Sequence, residues 1–185
     1  MPELPEVETI KNELELYVVG RSISGITLFW EGMLRQPSPS EFYTRINGQE
    51  ITGLKRRGKY LIFSLSNGDL LIIHLKMRGS LLVGKDSSPP AKYTRAIIHL
   101  DNGTNIFFPD PRKFGTIQLV RDKDSVVGKL GPEPLAADFT PKILAKRLSK
   151  RKASIKAVLI DQSFIAGMGN MYADEALFSA GIYPL

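Results

Sequence analysis

Apolar residues near the start of the chain recur with the spacing of an α-helix. They share one face of a 3.6-residue period: Val7, Ile10, Leu14 and Val18. Pro5 suits the first turn of a helix, and Gly20 suits the position just after a helix ends. The pattern therefore predicts an amphipathic helix over residues 5–19.

The middle of the chain has the alternation and the turn signals of antiparallel strands. An Asn-Gly dipeptide at 67–68 and another at 102–103 each separate two apolar runs, which is a strong signal of a β-hairpin. A capping box at 38–41 predicts a short helix that ends at Asn47-Gly48. The predicted strands cover residues 22–29, 60–65, 70–75, 95–100, 105–108 and 116–120. Strands joined in this way predict a β-sandwich or a flattened barrel.

The composition changes after Val120. Residues 121–139 are rich in Gly and Pro and lack apolar periodicity, which is typical of a connection between domains. Three short helices are predicted after it, at 140–150, 154–164 and 172–180, with a glycine-rich turn at 166–170 before the last. Because three short helices bury little apolar surface, the second domain is predicted to be incomplete.

The predicted fold class is α+β: an N-terminal antiparallel β-sandwich with flanking helices, followed by the start of a helical domain. The predicted divisions are a sandwich domain at 1–128, a linker at 129–139 and a partial helical domain at 140–185. No run of eighteen apolar residues is present, and the N-terminus carries acids where a signal peptide carries bases. We therefore expect a soluble protein of the cytoplasm that makes no membrane contact.

Charge favours a polyanionic partner. Twenty-five Lys and Arg against 19 Asp and Glu give a net charge of +6 and a pI near 9.5. Acids crowd the first fifteen residues, and bases cluster at 55–59 and 146–156. Two solvated faces are the simpler interpretation of such runs. The absence of cysteine excludes disulfides, cysteine nucleophiles and cysteine-ligated zinc, and two histidines argue against any self-contained zinc site.

Five short segments, in order, resemble one enzyme family. They are MPELPEVE at 1–8, RRGKY at 56–60, HLKMRGS at 74–80, DPRKFG at 110–115 and GMGNMYADE at 167–175. Together they span the chain and are similar to the bacterial formamidopyrimidine-DNA glycosylases, base-excision repair enzymes that remove oxidised purines. The endonuclease VIII proteins, which act on oxidised pyrimidines, are the nearest alternative, although PELP at 2–5 looks more like the formamidopyrimidine branch.

The resemblance assigns catalytic roles to residues near the N-terminus. Removal of Met1 leaves Pro2 as a secondary amine with a reference pKa of about 7.7 to 8.0, so a useful fraction is neutral and nucleophilic. Its attack on the sugar gives an iminium ion that cannot lose an N–H proton and so favours strand cleavage by elimination. Glu3 is the expected general acid and base, supported by Glu6. Lys59 resembles the family lysine that contacts phosphate near the lesion and assists proton transfer.

The resemblance also implies how damaged DNA is held. Base chemistry in a duplex requires extrusion of the nucleotide, and the residues that match the family's void-filling trio are Met77, Arg112 and Phe114. The expected DNA-binding residues are Tyr93, where many relatives carry histidine, together with Arg112, Arg151, Lys152, Lys156 and Asn170. Asn170 is predicted to lie in the turn of a helix-two-turn-helix motif. His74 and His99 fall in strand patterns and are predicted to be structural.

Family members continue through more helices, a flexible loop over the extruded base and a four-cysteine zinc finger. None of these is in the sequence, so we expect a fragment or a truncated gene product that binds no metal itself. The expected partner is damaged double-stranded DNA, bound by a monomer. A catalytically inactive DNA-binding remnant remains an alternative, and a protein-interaction scaffold unrelated to DNA has only the composition in its favour.

Overall fold

A computed structural model describes residues 1–184 and contains two β-sheets and a set of helices. The helices are α1 (Leu4–Val18), α2 (Pro39–Ile46), α3 (Asp124–Val127), α4 (Pro141–Leu148), α5 (Ile155–Ile160) and α6 (Asn170–Ser179). The strands are β1 (Ile23–Leu28), β2 (Leu34–Gln36), β3 (Ile51–Arg57), β4 (Tyr60–Leu65), β5 (Leu70–His74), β6 (Leu82–Lys85), β7 (Thr94–Leu100), β8 (Thr104–Pro109) and β9 (Thr116–Val120).

Helix α1 begins and ends one residue earlier than its spacing predicts. Glu3 caps its first turn, and the backbone N–H of Glu3 donates to the carboxylate of Glu6 in a reciprocal capping box. Pro5 lies in the first turn, where its missing N–H costs no helical hydrogen bond. The buried face carries Val7, Leu14 and Val18, as the sequence predicts.

The strands form a sandwich of two sheets. One sheet has the order β1-β7-β8-β6 and the other has the order β2-β9-β5-β4-β3. Both predicted hairpins are confirmed, because β4 pairs with β5 and β7 pairs with β8 across the Asn-Gly turns. The predicted antiparallel sandwich is confirmed, and one edge strand that was not predicted, β2, runs parallel to β9. Strands β2, β3 and β6 were not predicted, because two are short and β3 carries three consecutive basic residues.

One apolar core fills the space between the sheets and the helices that flank them. It takes buried side chains from α1, α2 and both sheets, among them Val7, Phe42, Phe63, Ile98 and Phe108. A second cluster joins α5, α6 and the turn between them through Val158, Leu159, Phe164, Ile165, Ala173 and Leu177. The predicted domain boundaries remain predictions, although the two clusters fall on either side of the proposed linker.

The helical part differs from its prediction at three points. The predicted connection contains the short helix α3, whose Val127 packs against the five-stranded sheet. Helix α5 ends at Ile160 instead of residue 164, because the carboxylate of Asp161 accepts the N–H of Ser163 at 2.9 Å and closes a turn. Asn170 is the first residue of α6 rather than part of the preceding turn, because Gly169 takes the cap position.

A buried ion pair ties α2 to the β4–β5 hairpin. The carboxylate of Asp69, 1% exposed, accepts from Arg45 Nε at 3.0 Å and from a terminal guanidinium nitrogen at 2.7 Å. These hydrogen bonds lower the pKa of Asp69.

Among residues 1–184, no helix is long and apolar enough to cross a membrane.

We expect Asp69→Asn to lower the free energy of unfolding by about 1–3 kcal/mol at pH 7, because Arg45 loses its charged acceptor. The pKa of Asp69 is depressed in the folded state, so the stabilisation is fully present above the unfolded pKa of about 3.9 and is lost as the pH falls through the lower folded value. Urea unfolding of both proteins at several pH values measures this difference. A difference that does not shrink below about pH 4 contradicts the assignment.

Candidate active-site groove

A groove of about 510 Å³ lies beside the chain N-terminus. Its walls come from both ends of the sequence and from the hairpin turns of the sandwich. The lining residues are Met1, Arg35, Lys59, Tyr60, His74, Lys76, Met77, Lys113, Phe114, Leu130 and Gln162. Three of the residues predicted to form the site, Lys59, Met77 and Phe114, therefore meet at one cavity.

The N-terminus is held in place by the carboxylate of Glu3. This side chain is 2% exposed and accepts the backbone N–H of Gly169 at 2.6 Å and that of Met171 at 3.1 Å. Both donors belong to the N-terminal end of α6, where unpaired amides and the helix dipole favour a negative charge. The backbone N–H of Leu4 also donates to the carbonyl of Gly167 at 3.0 Å. Pro2 is thereby fixed next to a buried carboxylate.

Glu6 connects the same region to a tyrosine that the sequence did not single out. Its carboxylate accepts the Tyr172 hydroxyl at 2.8 Å and the backbone N–H of Glu3 at 2.9 Å. Burial raises the pKa of Glu6, but these hydrogen bonds outweigh it and the net shift is downward. Tyr172 lies in the GMGNMYADE segment, which was its only signal in the sequence.

Lys59 is a buried amine close to the acidic groups at the N-terminus. It is 7% exposed and lies in the turn between β3 and β4. Burial lowers the pKa of the Lys59 ammonium, against the opposing attraction of Glu3 and Glu6. The preceding Gly58 has a φ of +56° and donates its N–H to Glu133 at 2.6 Å. Glu133 therefore holds the turn that carries Lys59.

Two side chains of the basic run at 55–59 make contacts within the protein and do not belong to a solvated face. Arg56 donates to Glu133 at 2.7 Å and Arg57 donates to the other oxygen of the same carboxylate at 2.9 Å. Arg57 also donates to the carbonyl of Gly131 at 2.6 Å. These contacts join the sandwich to the segment before α4. The hydrogen-bonding groups of Arg56 and Arg57 are thus used in contacts within the protein.

The predicted void-filling residues are exposed, and two of them, Met77 and Phe114, line the groove. Met77 is 41% exposed and Phe114 is 47% exposed, so neither is a core residue. The guanidinium carbon of Arg112 lies 4.8 Å from the centroid of the Phe114 ring. Exposed apolar side chains beside a stacked guanidinium form a surface suited to contact with bases.

The two histidines differ in their surroundings. His99 bonds to Thr27 and Asn105 within the four-stranded sheet, in keeping with a structural role. His74 lines the groove, and its Nδ1 accepts the backbone N–H of Lys76 at 2.9 Å. Burial lowers the pKa of His74 to about 3, so the ring is neutral and Nε2 carries the proton. His74 is therefore also a hydrogen-bond donor at the groove, which its strand pattern did not reveal.

The other predicted DNA contacts are not among the residues that line the groove. Tyr93 is exposed, has a φ of +66° and has the Lys92 ammonium 4.9 Å from its ring centroid. Lys156 pairs with Asp174 at 2.7 Å, so its charge is partly neutralised. Arg151 lies 3.7 Å from Asp161 and 5.1 Å from the ring centroid of Phe164. Lys152 and Asn170 are exposed.

The part of the chain that the structure describes, residues 1–184, has no group of three or more His, Asp or Glu side chains that could hold a metal ion. Cysteine is absent from the whole sequence.

Comparison with known families matches both parts of the chain. Residues 1–117 match the formamidopyrimidine-DNA glycosylase N-terminal domain, and residues 130–185 match the formamidopyrimidine-DNA glycosylase H2TH domain. Proteins of that name from Protochlamydia amoebophila and Chloroflexus aurantiacus are 43% and 48% identical over the full chain. The chain spans 67% of the length of each of these two relatives.

Solved structures agree with the sequence comparison. A Lactococcus lactis formamidopyrimidine-DNA glycosylase bound non-covalently to DNA with an AP site superposes with a TM-score of 0.91 at 36% identity, covering 98% of this chain and 70% of that one. The same enzyme in complex with DNA containing FAPY-dG gives a TM-score of 0.90 at 35% identity, covering 98% and 69%. The fold is that of a DNA glycosylase. The chain belongs to the formamidopyrimidine-DNA glycosylase family.

We expect Gly169→Ala to displace the carboxylate of Glu3, because an added Cβ would lie 2.4 Å from Cδ and Oε1 of that side chain. The free energy of unfolding should fall by about 1–3 kcal/mol through overpacking and the loss of a buried hydrogen bond. Urea unfolding measures the change. The matched control is Gly53→Ala, where the added Cβ meets no atom within 4 Å. Equal stability changes in the two variants would contradict the role given to Glu3.

Proposed function

We propose that this chain is a bifunctional DNA glycosylase and AP lyase that removes oxidised purines, 8-oxoguanine and formamidopyrimidines, from duplex DNA. The observation that carries the proposal is the buried Glu3 carboxylate, which directly follows Pro2 in the chain. Met1, on the other side of Pro2, lines the groove together with Lys59. The names of the relatives and their complexes with FAPY-dG and AP-site DNA support the substrate class.

Pro2 acts as the nucleophile once Met1 has been removed. Its neutral nitrogen attacks C1′ of the damaged nucleotide, and the glycosidic bond breaks as the base departs with the bonding electron pair. Opening of the sugar ring then gives an iminium ion at C1′. The secondary amine loses its single proton after the attack, and the Glu3 carboxylate accepts it, so the charge of the iminium ion persists and acidifies C2′.

Glu3 moves the protons that these steps require. A carboxyl group there can protonate the ring oxygen during opening, and the carboxylate can then accept a proton from C2′. Loss of that proton expels the 3′ phosphate, and a second elimination expels the 5′ phosphate. The amides of Gly169 and Met171 hold the side chain in one place throughout. Lys59, with its lowered pKa, contacts the adjacent phosphate and assists proton transfer.

The duplex is opened and held by residues outside the reacting centre. Met77 and Phe114 occupy the space left by the extruded nucleotide, and Arg112 donates to the orphaned base opposite. The duplex backbone is bound by Tyr93, Arg151, Lys152, Lys156 and Asn170, with the neutral His74 as a further donor from the groove wall. We propose that the protein acts on DNA as a monomer.

We expect borohydride to trap a covalent adduct between the chain and a duplex that contains an abasic site. Reduction converts the iminium ion to a stable amine, which a denaturing gel detects as a shifted band. Pro2→Gly keeps a terminal amine but makes it primary, so trapping should persist at a reduced yield. A form that retains Met1 should give much less adduct than the parent, because its Pro2 nitrogen is an amide and its primary amine lies one residue away from that nitrogen.

The same experiment separates the alternatives. A catalytically inactive remnant of the family binds the duplex, with affinity that falls steeply with salt, but gives no adduct. Failure of the folded, correctly processed protein to form an adduct would therefore contradict the proposed function. Excision of an oxidised pyrimidine in preference to 8-oxoguanine would contradict the proposed substrate class and favour an endonuclease VIII-like activity.

A further inference from the structure

A buried carboxylate organises the loop that carries Arg112 and Phe114. Residues 110–115 form this segment, named here the wedge loop, and Asp110 at its start is 1% exposed. Its Oδ1 accepts the backbone N–H of Arg112 at 3.0 Å. Its Oδ2 accepts the N–H of Phe114 at 2.8 Å and that of Gly115 at 2.7 Å. One side chain thus fixes three backbone amides of the loop.

Asp110 is itself anchored to the four-stranded sheet. Its N–H donates to the carbonyl of Tyr93 at 3.0 Å, and its carbonyl accepts from Arg95 Nε at 2.9 Å. The far end of the loop packs as closely, because a Cβ on Gly115 would lie 2.6 Å from the Phe108 ring. Both ends of the wedge loop are therefore held by the sandwich.

The conformation of the loop requires this support. Lys113 has a φ of +59°, in the left-handed region that costs a non-glycine residue about 1–2 kcal/mol. Arg112 and Phe114 flank Lys113 in the sequence, and their side chains are exposed. Their mutual stacking at 4.8 Å depends on a backbone that they do not themselves hold. The hydrogen bonds to Asp110 offset the strain at Lys113 and keep the side chains of Arg112 and Phe114 in position relative to each other.

We propose that Asp110 is the positioning residue of the wedge: it presets the loop so that Arg112 and Phe114 enter the duplex during base extrusion without first being ordered. The inference rests on the proposed function, in which these two residues fill the void. A preformed loop loses less conformational entropy on insertion, so extrusion is faster. Asp110 takes no part in the reaction at Pro2 and acts only through the wedge loop.

The test uses Asp110→Asn, which keeps the size of the side chain but replaces one acceptor oxygen with an amide donor. The primary measurement is the rise in 2-aminopurine fluorescence beside an 8-oxoguanine in a duplex, which reports extrusion by stopped flow and needs no bond cleavage. We expect the rate to fall about tenfold, in line with the loss of one or two charge-assisted hydrogen bonds. Borohydride trapping on a single-stranded abasic oligonucleotide, which has no stack to fill, should stay within about twofold.

Two further variants distinguish positioning from a general loss of structure. Asp69→Asn removes another carboxylate that is 1% exposed, but one that binds Arg45 outside the groove, so it should lower stability without slowing extrusion. In a Phe114→Ala background, Asp110→Asn should add less than about twofold, because residues that act as a unit are not additive. Hydrogen exchange at the amides of Phe114 and Gly115 should accelerate in Asp110→Asn without DNA.

The outcomes separate the two proposals. An unchanged extrusion rate in Asp110→Asn, an equal loss in extrusion and in single-strand trapping, or multiplicative effects with Phe114→Ala would each overturn the inference. So would the absence of any fluorescence rise with the parent protein. A parent that extrudes the base but forms no adduct contradicts the proposed function, while a slowed rise in Asp110→Asn still supports the role of Asp110.

Discussion

The contact between the Glu3 carboxylate and the N-terminus of α6 is the constraint on which the site depends. The contact buries the carboxylate charge where backbone amides of the helix donate to it, and it links residues 3 and 169. Because Glu3 also caps α1, one side chain fixes the starts of two helices. Pro2 directly precedes Glu3 in the chain, so its position follows from that of Glu3.

Buried carboxylates that receive backbone or guanidinium donors recur in this chain. Glu3, Asp69 and Asp110 are each 1% to 2% exposed, and each holds a segment that packing alone would leave loose. Such groups are costly to bury unless every oxygen is satisfied, which makes the geometry that satisfies them specific. Lys59 and two residues of the wedge loop, Lys113 and Phe114, line the groove near two of these carboxylates' anchoring contacts.

The sequence predicted local features better than distant ones. The hairpins, α1 and the buried face of α1 depend on turn chemistry and periodicity, so they were correctly predicted. Helix α5 was predicted too long, since a single Asp161 side chain ends it. The candidate site came from resemblance, and its residues stay predictions. Arg56 and Arg57 donate hydrogen bonds to Glu133 across more than seventy residues of sequence, and no local pattern reveals such a contact.

The central claim is that the amine of Pro2, and not that of Lys59, is the nucleophile at the groove. Lys59 lines the groove beside the chain N-terminus, and burial makes it easier to deprotonate than a surface lysine. The most direct measurement is mass spectrometry of the borohydride-trapped adduct after digestion with trypsin. The account predicts that the sugar remnant lies on the N-terminal peptide, residues 2–11, attached to Pro2. A remnant on a peptide that contains Lys59 would contradict it.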